Sequence, residues 1–169
     1  VSVAAVDIQG TAIGSNGVNF RSISGYAPGA AITLDSTGNG PFRVTGDGIN
    51  LGSGGALSGG IIPGGVGSGD PAVLLDNTAF VELSYMNLSG GVGASGAGFR
   101  GTNFGTLTLA GIVLHGDRAL DVTNGRIVNG PGKSAFASVN SDSASPAVSL
   151  NNITGDFTVA GGTISSPDI

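Results

Sequence analysis

The side chains able to do chemistry are few and scattered. The single histidine, His115, is followed by Gly116, Asp117 and Arg118. A histidine beside a carboxylate and a guanidinium could shuttle a proton. There is no second histidine and no cysteine, which excludes a cysteine–histidine pair, and a solvated corner is the expected reading. Carboxylates bracket two segments, Asp47 with Asp70 and Asp117 with Asp121. Calcium takes about six to eight oxygen ligands, so either pair would need help from backbone carbonyls. Residues 129–134, Asn-Gly-Pro-Gly-Lys-Ser, end like a phosphate-binding loop. That motif requires a glycine five residues before Gly132, and Ile127 stands there, which excludes it. Asn87-Leu88-Ser89 and Asn152-Ile153-Thr154 are glycosylation sequons. No catalytic or metal-binding residue is assigned, and no enzymatic activity and no cofactor are expected. Calcium is the one ion with any candidate ligands.

These residues must be positioned by a repeat. Val73-Leu74-Leu75-Asp76-Asn77 returns as Val6 to Gly10, Ile32 to Ser36, Leu120 to Asn124 and Val148 to Asn152, and more weakly as Phe99 to Asn103. Apolar and polar residues alternate within each copy, the signature of a half-buried strand. The inward column reads Ile8, Leu34, Leu75, Gly101, Val122, Leu150, and the column beside it reads Gln9, Asp35, Asp76, Thr102, Thr123, Asn151. A slip of one residue would exchange the two faces, so the alignment is fixed. Further short apolar segments follow each copy. Phe42/Val44, Val81/Leu83, Leu107/Leu109 and Phe157/Val159 form a second set, and Met86/Leu88, Ile112/Leu114 and Ile164 form a third. For the unit after Leu120, residues 126–128 are the best second strand. Residues 130–145 read as a surface loop containing a strand at 135–139.

All copies run in one direction, which calls for parallel strands joined by crossovers. No segment has helical periodicity, so each crossover is the remainder of the unit. The expected fold is all-β, a right-handed parallel β-helix of about six coils forming a single domain over residues 1–169. The strand-closing residues Gly10, Ser36, Asn77, Asn103, Asn124 and Asn152 follow at steps of 26, 41, 26, 21 and 28. Gly and Asn tolerate the left-handed backbone of a sharp corner, and a buried ladder of stacked side chains is expected along this edge. The long step places about 15 additional residues between Gly46 and Asp70. They form a Gly-rich bulge, a coil with an extra strand at 56–62, or a binding loop bracketed by Asp47 and Asp70. Within it, residues 64–70 approximate a calcium-binding nonapeptide with the aspartate one position late.

The repeat, its Asn corners and the opening Thr11 to Ser24 stretch resemble bacterial secreted and surface β-helix proteins of the β-strand-repeat and autotransporter-passenger kind, within the pectate-lyase-like superfamily. The resemblance implies the fold over nearly the whole length and an extracellular or cell-surface location. It does not select among lyases, adhesins and tailspikes. Lyases of this kind rely on clustered Asp with Arg or Lys on an outer face. The outward rows Asp7, Thr33, Leu74, Arg100, Asp121, Ser149 and Arg43, Glu82, Thr108, Thr158 carry no such cluster.

Composition narrows the classes. The formal net charge is −5, and six Lys plus Arg are dispersed along 169 residues, which argues against nucleic acid. The absence of cysteine excludes disulfides and thiol chemistry. No apolar run approaches the roughly 18 residues of a spanning helix. The chain opens within a strand pattern, as expected of a mature product or an excised segment. Neither end shows a polar cap, and open coils invite head-to-tail contact. The leading expectation is a non-enzymatic extracellular structural or adhesive solenoid able to associate end to end, with a glycan or host surface as partner. The alternative is a polysaccharide-binding or polysaccharide-cleaving β-helix using the segment between Asp47 and Asp70.

Overall fold

The computed structural model of the chain describes residues 4–26, 29–47, 58–63, 69–91, 96–141 and 146–164. They are all-β, with no helix among the described residues. The strands are β1 Val6–Gln9, β2 Val18–Phe20, β3 Ile32–Val44, β4 Gly60–Ile62, β5 Val73–Ser84, β6 Met86–Ser89, β7 Ala97–Thr102, β8 Thr106–Ala110, β9 Ile112–His115, β10 Arg118–Asn129, β11 Phe136–Ser141, β12 Val148–Thr154 and β13 Gly162–Ile164.

These strands pair in parallel, each with its counterpart in the neighbouring repeat. In the larger sheet the order is β1-β3-β5-β7-β10-β12. Its register runs Ile8↔Leu34↔Leu75↔Gly101↔Val122↔Leu150, the inward column of the sequence alignment. The smaller sheet, β13-β11-β9-β6-β4, stacks the third apolar segments, for instance Leu88 on Leu114. Parallel in-register stacking with no helix among the described residues is β-helix-like.

Strands β3, β5 and β10 are long because each runs unbroken through a corner. The first half of β5 pairs with β7 and the second half with β8, and β10 does the same. The pairing β5-β7-β10-β8 therefore closes into a small four-stranded ring. The bends that close it fall at Asn77 and Asn124, where φ is 49° and 54°.

One apolar cluster fills the interior. Leu34, Leu75, Val122, Leu88, Leu114 and Phe136 are among its fully enclosed members. Alternation points one side chain in two toward this core, and each such burial contributes about 1.5–3 kcal/mol. The inward column has one hole, at Gly101. The ring of Phe104, almost fully buried, fills it: a β-carbon on Gly101 would lie 3.1 Å from that ring, and one on Gly125 only 2.4 Å from it.

Two sequence expectations need correction here. The strand expected at 135–139 is present as β11, but it belongs to no surface loop. Phe136 is fully buried, and β11 is the third strand of its repeat, paired with β9. Nor is Phe157-Thr158-Val159 a second strand. The corner at Asn124 is one residue shorter than those at Asn77 and Asn103: Phe80 and Thr106, each three residues past its Asn, pair with each other, and Thr106 pairs with Arg126, two residues past Asn124. The last repeat follows this shorter path, with Ile153 and Thr154 on Gly125 and Arg126. Val159 then bridges Phe136 in the smaller sheet, and the Phe157 ring meets that of Phe136 edge-on at 5.9 Å.

Candidate functional site

The six strand-closing residues form one edge of the molecule. Their φ angles are 57° at Gly10, 54° at Ser36, 49° at Asn77, 51° at Asn103, 54° at Asn124 and 53° at Asn152. This is the left-handed region, which costs most side chains about 1–2 kcal/mol and which Asn enters by local hydrogen bonding. The side chains bond from repeat to repeat. Asn152 Nδ2 donates to Asn124 Oδ1 at 2.9 Å, Asn124 Nδ2 to Asn103 Oδ1 at 2.9 Å, and Asn77 Nδ2 to Ser36 Oγ at 3.4 Å. The ladder is not buried. All six residues are exposed, because a left-handed corner on the outside of the stack turns its side chains toward solvent.

Asp47 and Asp70 have different neighbours among the described residues. Asp47 lies 3.9 Å from Arg21, and its backbone N–H donates to Ser58 Oγ. Asp70 lines a different hollow, of about 400 Å³, beside Asp35 and Asp76 on the outer face of the larger sheet. Most of the segment between them, residues 48–57 and 64–68, lies outside the described residues, and so does most of the nonapeptide-like stretch. Among the described residues no three His, Cys, Asp or Glu side chains come together in a way that could hold a metal ion.

His115 ends β9, exposed, and its carbonyl accepts from the Gly90 N–H. Arg118 turns instead to Asp121, at 2.9 Å, and Arg100 approaches the same carboxylate at 3.8 Å. Two arginines on one aspartate make a structural clamp between neighbouring repeats. Asn87, the first sequon, is half-buried in β6, between Ile61 and Val113 of the adjoining strands.

Two features escape the repeat alignment. A second left-handed corner runs through Gly46, Tyr85 and Gly111, with φ of 62°, 55° and 62°. Tyr85 is the only non-glycine of the three, and its ring lies against the two glycines, where β-carbons would come within 3.0 and 3.3 Å of it. The second is a groove of about 320 Å³ on the outer face of β3, β5 and β8, lined by Asn39, Pro41, Arg43, Phe80, Glu82 and Thr106 among others. Its signal was present in the sequence. Val81 and Leu83 point inward, so alternation turns Phe80 outward, an aromatic where polar residues belong.

No family model, no curated protein and no solved structure matches the chain.

Proposed function

We propose that the chain winds as a right-handed parallel β-helix of about six coils and serves, without catalysis, as a structural or adhesive solenoid on an extracellular, bacterial cell surface, its copies associating end to end. The observation that carries this reading is the state of the terminal strands. The inward column is sealed in the middle of the stack, where Leu34, Leu75 and Val122 have no exposure, whereas Leu150 on β12 is 46% exposed. Ile164 on β13 is 65% exposed and Val159 49%. At the other end Val6 and Ile8 of β1 are only half-buried. Among the described residues β1, β12 and β13 each pair on one side only, and a row of backbone donors and acceptors with apolar side chains is the surface that another parallel strand covers.

The two ends also match. Val148-Ser149-Leu150-Asn151-Asn152 and Val6-Asp7-Ile8-Gln9-Gly10 share alternation and a left-handed closing residue. Stacking β12 of one copy on β1 of the next continues both the inward column and the corner edge. A heterologous contact of this kind does not close on itself and builds a filament. An extracellular setting is supported by the resemblance of the repeat to secreted β-helix chains.

Sedimentation velocity over a concentration series tests the association. The chain is expected to shift to larger species as concentration rises, and Leu150→Lys, which puts a charge into the exposed apolar end, is expected to hold it as a monomer. Identical concentration-independent sedimentation of both proteins would overturn the end-to-end reading.

A further inference from the structure

The groove on the outer face of β3, β5 and β8 is built of two rows. Pro41, Phe80 and Thr106 stand in register along one, and Arg43, Glu82 and Thr108 along the other. The rows lie two residues apart along the strands, roughly 6.5–7 Å, and the side chains within a row repeat at about 4.8 Å. Phe80 is 51% exposed. Beside it Arg43 Nε and Glu82 Oε2 are 3.4 Å apart, and Arg43 also donates to Asn19 Oδ1 at 3.2 Å. These bonds hold a fork of donors and a carboxylate acceptor at the level of the ring. Asn39 is shared with a second hollow, of about 410 Å³, that opens onto Ser36, Asn77 and Asn103 of the corner edge. Here the ladder contact lengthens to 3.4 Å, against 2.9 Å further along.

We infer that this groove binds a neutral carbohydrate chain. A pyranose ring has an apolar C–H face and a rim of hydroxyls that both donate and accept. The groove offers one aromatic face for the former. For the latter it offers a guanidinium, a carboxylate, threonine hydroxyls and, continuing through Asn39, the amides of the corner. An extended peptide would need an open strand edge to add to, whereas the backbone beneath this groove is already paired on both sides. A nucleic acid or a strongly anionic polysaccharide would need unneutralised cations, and Arg43 is answered by Glu82. The site is distinct from the segment between Asp47 and Asp70, and it does not depend on end-to-end association.

The test is ¹H–¹⁵N NMR of the whole chain, as the Leu150→Lys variant to limit association, titrated with neutral tetra- to hexasaccharides of glucose, mannose and xylose. Saturable shifts are expected at Arg43 Nε, the Asn39 amide and the backbone of residues 80–82 and 106–108 with at least one series. Phe80→Ala, an exposed position whose loss leaves the core intact, is expected to weaken binding about tenfold. Glu82→Gln, which keeps the shape and removes the charge, is expected to weaken it severalfold. The inference is overturned by an absence of shifts with every neutral series, by shifts that cluster elsewhere, by an unchanged affinity in Phe80→Ala, or by binding confined to anionic polysaccharides.

Discussion

Asn124 is the residue at which the corner edge can be taken apart. It accepts from Asn152 and donates to Asn103, and it does so in the left-handed region. Asn124→Ala removes both bonds and leaves a β-carbon in a strained backbone, whereas Asn124→Gly removes the bonds and relieves the strain. Because the ladder is exposed, water replaces part of what the amides lose. Chemical denaturation is therefore expected to show the alanine variant less stable by about 1–2 kcal/mol, with glycine less than half as damaging. Equal effects would mean that the backbone conformation is not why Asn stands there. At Asp121 the expectation is different in kind. Asp121→Asn releases the clamp of Arg100 and Arg118, partly exposed groups, and the loss should be about 1 kcal/mol or less and shrink with added salt. A loss that persists unchanged in high salt would contradict an electrostatic role.

Among the elements, the most informative contact is the Phe104 plug. Gly101 leaves a gap in an otherwise aliphatic column, and the shorter corner at Asn124 brings Gly125 over the same space. One ring from the intervening corner fills both. Phe104→Ala is expected to destabilise the chain by about 3–5 kcal/mol, read from the midpoint of urea unfolding. A cost under about 1 kcal/mol would show that the column collapses without the ring. The elements also show where the sequence is legible. Strict alternation pins β1, β3, β5, β7, β10 and β12, because a one-residue slip would bury polar side chains. The glycine in place of a leucine at 101 and the missing residue after Asn124 are compensations between neighbouring repeats, visible only once Phe104 is seen to span them. The same shortening misplaces residues 157–159 in a linear alignment. The Tyr85 corner was illegible because nothing in a tyrosine signals left-handed backbone; its two glycine neighbours make room for it only in the stack. Phe80 was legible as a violation of alternation, but its partners Arg43 and Thr106 come from other repeats.

At the scale of the molecule, the stack is sealed in its middle and apolar at its last strands, and this contrast underlies the proposed association. The groove proposed to bind carbohydrate lies along the side of the stack, so a filament would display it once per copy along its length, and weak single sites would add through multivalency. The measurement that most directly tests the central claim is negative-stain electron microscopy of the chain across a concentration series. Filaments with an axial repeat of about 29 Å, six strand spacings, are expected, and they are expected to disappear in Leu150→Lys. Dispersed particles of constant size at every concentration, alike for both proteins, would contradict it.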